Sequence, residues 1–383
     1  IELHFIKYAT NYNNKAYKGL RPIVHQMYRL ALRSRKRFYL ARCYHLLMTT
    51  YYMDLDYRSA TLYGAKALDA YEGGGNERGA CNARFFLAFC FTGMDRFDRA
   101  KAVLDEIPRT DPYTAGLYDA GMAAYHRLRG EYEDSARFAR KIIADAEARG
   151  DVDEVCRRKA MMLADSLLNF RFDDVWLTDK PERLYCGLDG ETSVPFHAAL
   201  ALNYRFAGNA EASAKSFASA DYHLAQLHSD EERAAAGAAL SWARLLAGAR
   251  KEARELALAG LEASVRSRHY TAMFECQTNL AELAYLEGNA EEFAFFVTDA
   301  CILAGAPIYR ERKALARYFY FAWLLMESSP EGFAHGDTLR RDERDEYLAE
   351  AKRLLEDELL ALGDEEIRER ALTLSIFDRI AKA

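Results

Sequence analysis

Proline is scarce in this chain, with 7 among 383 residues. Ala, Leu, Glu and Arg dominate instead, so the composition favours helix throughout. No stretch reaches the roughly 18 uninterrupted apolar residues of a membrane-spanning helix, and no signal peptide is visible. A cytoplasmic location without membrane contact is therefore expected. The seven cysteines form no CxxC pair. Their scatter over Cys43, Cys81, Cys90, Cys156, Cys186, Cys276 and Cys301 reads as small buried hydrophobes in a reducing compartment. No His/Cys group has metal-ligand spacing.

The signatures of chemistry are missing too. Gly73-Gly74-Gly75 is not followed by GK[ST], so it is a loop and not a phosphate cradle. The nine histidines contain no HExxH or HxH, and no GxSxG elbow marks a nucleophile. Asp173-Asp174 and Glu291-Glu292 are adjacent acids, which face different ways on a helix and are usually solvated. No catalytic residue, metal or cofactor is nominated, and the chain is read as non-enzymatic.

Half of the residues are hydrophobic, which excludes a disordered chain. The net charge of -6 conceals a gradient. From Ile1 to Arg42 there are ten lysines and arginines against Glu2 alone, so this end carries about +9 and the rest about -15. The basic end suits nucleic acid, or an acidic partner such as a missing upstream domain or the acidic tail of a second copy. Residues 1 to about 13 read as the end of a longer region, and Asn14 to Lys36 as one helix, with Pro22 at a kink or a local start.

A repeat then organises the chain. Helix-gap-helix breaks recur at Asp54-Leu55-Asp56, Gly93-Met94-Asp95, Arg129-Gly130-Glu131, Asn169-Phe170-Arg171, Gly208-Asn209, Gly248-Ala249 and Gly288-Asn289, roughly 37 to 41 residues apart. The stretch from Thr271 to Pro307 is the clearest unit. Its first helix is apolar through Phe274, Leu280, Ala281, Ala284 and Tyr285, its second through Phe293, Phe296, Val297, Ala300 and Ile302. Gly305 as a left-handed cap and Pro307 as a stop are expected to end it. Neither helix can bury its apolar face alone, so the pairs must stack.

The expected pairs are Arg37–Met53 with Tyr57–Tyr71, Glu77–Thr92 with Arg96–Ile107, Tyr113–Leu128 with Tyr132–Arg149, Phe196–Phe206 with Glu211–Leu227, and Glu231–Leu246 with Lys251–Arg268. Between them Val152–Phe170 has only a short partner near Asp173–Trp176. The proline, glycine and acid content of Leu177 to Pro195 reads as a loop, either an insertion or a lid. At the end come Tyr309–Met326, a loop, and two charged helices, Arg341–Leu362 and Asp364–Ala381, which suit a cap or a link to an output domain. The segments are thus a basic 1–36, a repeat array 37–307 with its insertion at 177–195, and a charged 308–383.

The pairs resemble tetratricopeptide repeats. The residues that carry the likeness are TNLAELAYLEGNAEEF (Thr278 to Phe293), AALALNYRFAGNAEAS (Ala198 to Ser213) and AAYHRLRGEYEDSA (Ala123 to Ala136). Small residues early in the second helix, Ala60, Ala100, Ala136, Ala214 and Ala253, let paired helices approach closely. The repeats run longer than the family's usual 34 residues and lack most of its aromatic and proline positions. The longer, Ala-rich form is similar to arrays in large bacterial signalling proteins, such as LuxR-type regulators of the MalT kind and some GGDEF-type proteins.

The resemblance implies an all-α, right-handed α-solenoid of seven or eight helix pairs. It also implies a concave groove lined by the first helix of each pair. Carried over by position, that groove takes in Arg42, His45, Thr49 and Tyr52; Asn82, Phe86 and Phe89; Arg127; Arg205; Trp242; and Glu275, Thr278, Asn279, Glu282 and Tyr285. Such a mixture suits an extended peptide or a partner helix. Phe86, Phe89 and Trp242, at helical spacing, are more often core residues than groove anchors. The family's carboxylate clamp is not expected, because only Asn279 has a counterpart and the lysines are missing. The implied function is a protein-interaction scaffold, or a sensor and regulatory module, with a possible output domain and possible homo-oligomer. The alternatives are a small-ligand sensor capped by the 177–195 loop and a nucleic-acid-associated module.

Overall fold

The structure is a computed structural model describing residues 1–13, 19–165, 190–306, 308–328, 344–362 and 365–383. All regular structure among them is helical. The chain forms two compact units, Ile1–Leu128 and Arg129–Ala383. The first holds α1 (Glu2–Asn13), α2 (Leu20–Ser34), α3 (Arg37–Met53), α4 (Tyr57–Glu72), α5 (Glu77–Gly93), α6 (Phe97–Asp105) and α7 (Pro112–Leu128). The second holds α8 (Tyr132–Arg149), α9 (Val152–Ala164), α10 (Gly190–Phe206), α11 (Ala210–Gln226), α12 (Asp230–Leu246), α13 (Arg250–Ser267), α14 (Tyr270–Glu287), α15 (Ala290–Ala304), α16 (Arg312–Ser328), α17 (Arg344–Ala361), α18 (Glu365–Leu372) and α19 (Phe377–Lys382). The division falls between α7 and α8, inside the third pair expected from the sequence.

The pairs are stacked as an α-solenoid stacks them. In the first unit α3 packs on α4, α4 on α5 and α5 on α6, while α3, α5 and α7 also touch in succession. In the second unit the pairs are α10 with α11, α12 with α13, α14 with α15 and α16 with α17. Here too the first helices α10, α12, α14 and α16 touch one another in order. First helices therefore form one layer and second helices the other, as in a two-helix repeat.

One backbone turn generates the repeat. Among the described residues, one with positive φ stands between the helices of five pairs, at Leu55, Asp95, Gly208, Gly248 and Gly288, and Gly130 follows the end of α7 in the same conformation. In five of these breaks the next N–H donates to a carbonyl five residues back, as from Asp56 to Tyr51, Asn209 to Tyr204 and Asn289 to Ala284, each within about 2.9 Å. The side chains of Asp56, Asn209 and Asn289 then cap the second helix by accepting from Ser59, Ala212 and Glu292 N–H. Successive positions are 40 residues apart from Leu55 to Asp95 and from Gly208 through Gly248 to Gly288, 78, close to two repeats, from Gly130 to Gly208, and about 35 from Asp95 to Gly130. That repeat is shorter because α6 stops at Asp105, ahead of Pro108.

The fifth residue after each of these positions is buried: small at Ala60, Ala100, Ser135, Ser213 and Ala253, and aromatic at Phe293. Ser135 and Ser213 therefore occupy the places expected of Ala136 and Ala214, which lie one position away on less buried faces. A register shift of one residue turns a helix by about 100°.

Several boundaries differ from expectation. Residues 1–13 include the helix α1, and Pro22 sits in the first turn of α2, where its missing N–H has no helical acceptor anyway. Helix α10 begins at Gly190, within the expected loop, and carries Pro195 inside it. The remainder of that loop, 177–189, and the short helix near Asp173–Trp176 lie outside the described residues. Gly305 is not left-handed, since its φ is -88°. The α15 terminus is closed by the Arg310 guanidinium, which donates to the carbonyls of Leu303, Ala304 and Ala306. Pro307 is outside the described residues. The expected last helix is two helices, α18 and α19, separated near Ser375, whose φ is 56°.

Candidate partner-binding faces

In the first unit the nominated residues of α3 and α5 form an aromatic strip. His45 meets Phe86 edge-on at 5.6 Å between ring centres. About two turns along α3, Tyr52 lies 6.5 Å from Phe89, and Phe85 meets Phe89 at 4.8 Å. The strip reaches α7 through Asn82, which donates to the Tyr113 hydroxyl at 2.6 Å. His45, Tyr52, Asn82, Phe86 and Phe89 are all half-buried, so each is packed along one side and open along another. Amphipathic rings held in this way supply contact area at small cost in side-chain entropy.

His45 has an unusual environment. Its Nδ1 is buried with no hydrogen-bond partner. Burial lowers its pKa to about 4, which holds the ring neutral at physiological pH. Arg42 leaves the strip for the N-terminal helix, with its guanidinium 3.7 Å above the Phe5 ring. Thr49 is buried, its hydroxyl donating to the His45 carbonyl at 3.1 Å, and Arg127 is half-buried at the end of α7.

The second unit treats its nominated residues differently. Arg205 is exposed and Glu275 half-buried. Asn279 and Glu282 are fully buried, and Thr278 beside them bonds to the Phe274 carbonyl. Arg317 of α16, not evident as a site residue in the sequence, donates at 3.0 Å to both Asn279 Oδ1 and Glu282 Oε2. Its guanidinium also lies 3.9 Å above the Trp242 ring. The pair Arg317–Glu282 is almost wholly removed from water, so its hydrogen bonds are needed to offset desolvation.

The chain's own C-terminal segment lies over this cluster. Ser375 Oγ donates to Glu282 Oε1 at 2.5 Å. Phe377 is completely buried, with its ring 6.3 Å from Trp242. Arg379 donates to the Tyr285 hydroxyl at 2.6 Å, its guanidinium 5.2 Å from that ring. Trp242, Glu282 and Tyr285, which the resemblance places in the groove, are thus contacted from within the chain.

A second buried charge cluster joins distant parts of this unit. Lys313 of α16 pairs with Glu358 of α17 and donates to the Tyr132 hydroxyl of α8 at 3.2 Å. Burial works against the Lys313 charge, but Glu358, Tyr132 and Glu311 together hold its pKa well above the ordinary lysine value. The sequence did contain a signal for both clusters. In RKALARYFYFAWLLM, Lys313 and Arg317 stand four apart on one face of an otherwise aromatic and apolar run. The role of the tail had no such signal, since Ser375, Phe377 and Arg379 match no repeat position.

No family model matches the chain, and no curated protein matches it. Among solved structures, the crystal structure of yeast Tom70 is 13% identical, covering 98% of this chain and 90% of that chain, with a TM-score of 0.35. A circular tandem repeat protein with novel repeat topology and enhanced subunit contact surfaces is also 13% identical, covering 100% and 93%, with a TM-score of 0.23. The class of protein is defined by the helix packing itself: an all-α protein of stacked helix pairs, an α-solenoid. Among the described residues no helix is long and apolar enough to cross a membrane.

Proposed function

We propose that this protein is a non-enzymatic interaction scaffold that captures a peptide or partner helix across α3, α5 and α7. The observation that carries the reading is the half-buried strip of His45, Tyr52, Asn82, Phe86 and Phe89, which crosses successive first helices. Aromatic anchors in partly desolvated positions dominate binding energy at protein interfaces. The longer, Ala-rich repeats support a finer reading as a cytoplasmic sensor or regulatory module of a bacterial signalling or transcription-regulatory protein, similar to the MalT kind. The test is capture of partners from source-cell lysate by the wild type and by Tyr52→Ala/Phe89→Ala, with matched helical content. A partner kept by the wild type and lost by the variant is the expected result; equal capture by both would refute the site.

A second reading is contact between the basic N-terminal end and nucleic acid. Tyr51 and Tyr63 stack with ring centres 5.4 Å apart, Arg21 lies 4.7 Å from the first ring and Lys66 5.3 Å from the second. Interleaved cations and aromatics suit single strands. That reading requires an affinity for oligonucleotides that falls steeply with salt.

A further inference from the structure

We propose that the face of α12, α14 and α16 is a second peptide site, held shut by residues 374–382 of the same chain. It opens to a partner segment of like chemistry, presenting a hydroxyl, an aromatic ring two residues on and an arginine two residues beyond that. The proposal rests on reading first-helix faces as partner-binding surfaces, and it adds the occupant and the recognition pattern.

The tail buries Leu374, Ile376, Phe377 and Ile380 in the main apolar core, and it also makes contacts of the kind a ligand makes. Here three successive alternate residues each meet a polar or aromatic receptor: Ser375 on Glu282, Phe377 beside Trp242, and Arg379 on Tyr285. Glu282 divides its two oxygens, Oε2 accepting from Arg317 below and Oε1 from Ser375 above. The Arg317 guanidinium fixes both Glu282 and Trp242 without help from the tail. With the tail lifted, a preset carboxylate oxygen, the Trp242 ring and a phenol would remain on one face.

The tail is also built to leave. Helix α19 has only six residues, from Phe377 to Lys382. A helix that short does not persist on its own, so its helicity depends on the surface beneath it. Asp378, Arg379 and the last three residues are exposed, while Phe377 and Ile380 are its buried anchors. Ser375 at φ 56° separates α19 from α18 and makes a natural pivot.

The test uses the full chain and a fluorescent peptide with the sequence of residues 371–383. In the wild type a tethered tail competes at high effective concentration, so the peptide should bind weakly. In the variant Phe377→Ala/Arg379→Ala the site should be vacated and the peptide should bind at least about 10-fold more tightly. A peptide with the same two changes should not bind. Equal peptide affinity for wild type and a folded variant would overturn the proposal. If the variant fails to fold, native-state hydrogen exchange on the wild type decides. Amides of 377–382 exchanging through a local opening, well before those of α14, support a displaceable tail; exchange only with global unfolding makes the tail a core element and ends the idea. A concentration-dependent dimer linked by exchanged tails would replace the outside partner with a second copy. None of these readouts involves Tyr52 or Phe89, so this proposal and the reading of the first unit can fail separately.

Discussion

Arg317 and Glu282 form an ion pair at 3.0 Å in the interior of the second unit, on neighbouring first helices. Neither side chain meets appreciable solvent, and the guanidinium is further held by Asn279 and by the face of Trp242. The pair is therefore a joint between two repeats, and each partner depends on the other for its solvation.

Removing one side of this joint should be costly. Arg317→Met leaves the Glu282 carboxylate buried without its cation, and a loss of roughly 3–5 kcal/mol is expected. The double variant Arg317→Met/Glu282→Leu should recover much of that, because no uncompensated charge remains. Urea unfolding of both variants measures the difference, and a double variant no more stable than the single one would contradict it.

The helices α12 and α13 meet at a glycine contact. A Cβ built on Gly237 would lie 3.1 Å from the Gly260 Cα, and neither backbone can move without separating the pair. Gly237→Ala should destabilise by about 1–3 kcal/mol through overpacking. The gain in helix propensity on replacing glycine, about 1 kcal/mol, offsets only part of the overpacking. A neutral or stabilised variant in thermal unfolding would show that the pair has slack.

The interrepeat turn at Arg268 is left-handed, with φ 60°, in a residue with a full side chain. Arg268→Gly should stabilise the protein by up to about 1 kcal/mol, because glycine reaches that conformation without steric cost. The greater freedom of glycine in the unfolded chain works against part of the gain. The exposed Arg268 side chain makes this a clean comparison by chemical denaturation.

His45 gives a pH dependence of known sign. Its folded pKa is about 4 and its ordinary value about 6.5, so between those values the unfolded chain binds more protons. The stability contributed by neutral His45 is therefore complete above about pH 6.5 and is lost as pH falls toward 4. His197, likewise lowered to about 4 by burial and by His223, contributes with the same sign. His45→Phe should flatten the acid side of the stability profile relative to wild type, leaving only the share from the remaining histidines and acids. An unchanged slope would mean that the ring is already protonated or solvated in the folded state.

The repeat was legible in sequence because its turns are chemically explicit. Gly208-Asn209 and Gly288-Asn289 combine a left-handed residue with a capping side chain, and the structure uses them so. The turns at Leu55 and Asp95 use the same backbone without glycine at the left-handed position, so periodicity has to reveal them, helped at Leu55 by the capping Asp56. A turn signature marks where helices end but does not say what packs beside them. Gly130 resembles Gly248 in sequence, yet the division between the units falls beside it. The candidate faces were legible in part for the same reason. Position within a repeat pointed to Tyr52, Phe86 and Phe89, while the covering of Trp242 and Glu282 depends on Ser375 and Phe377, which belong to no repeat.

The constant five-residue offset from each left-handed turn to a buried residue of the next helix makes the array tolerant in one respect and rigid in another. Whole units of about 40 residues can be added or lost without disturbing their neighbours' geometry. A single residue gained between Gly248 and Ala253 would instead rotate α13 by about 100° and present a bulky side chain where the pair requires a methyl group. Length variation in relatives of this chain should therefore gather between repeats and avoid these five-residue clamps.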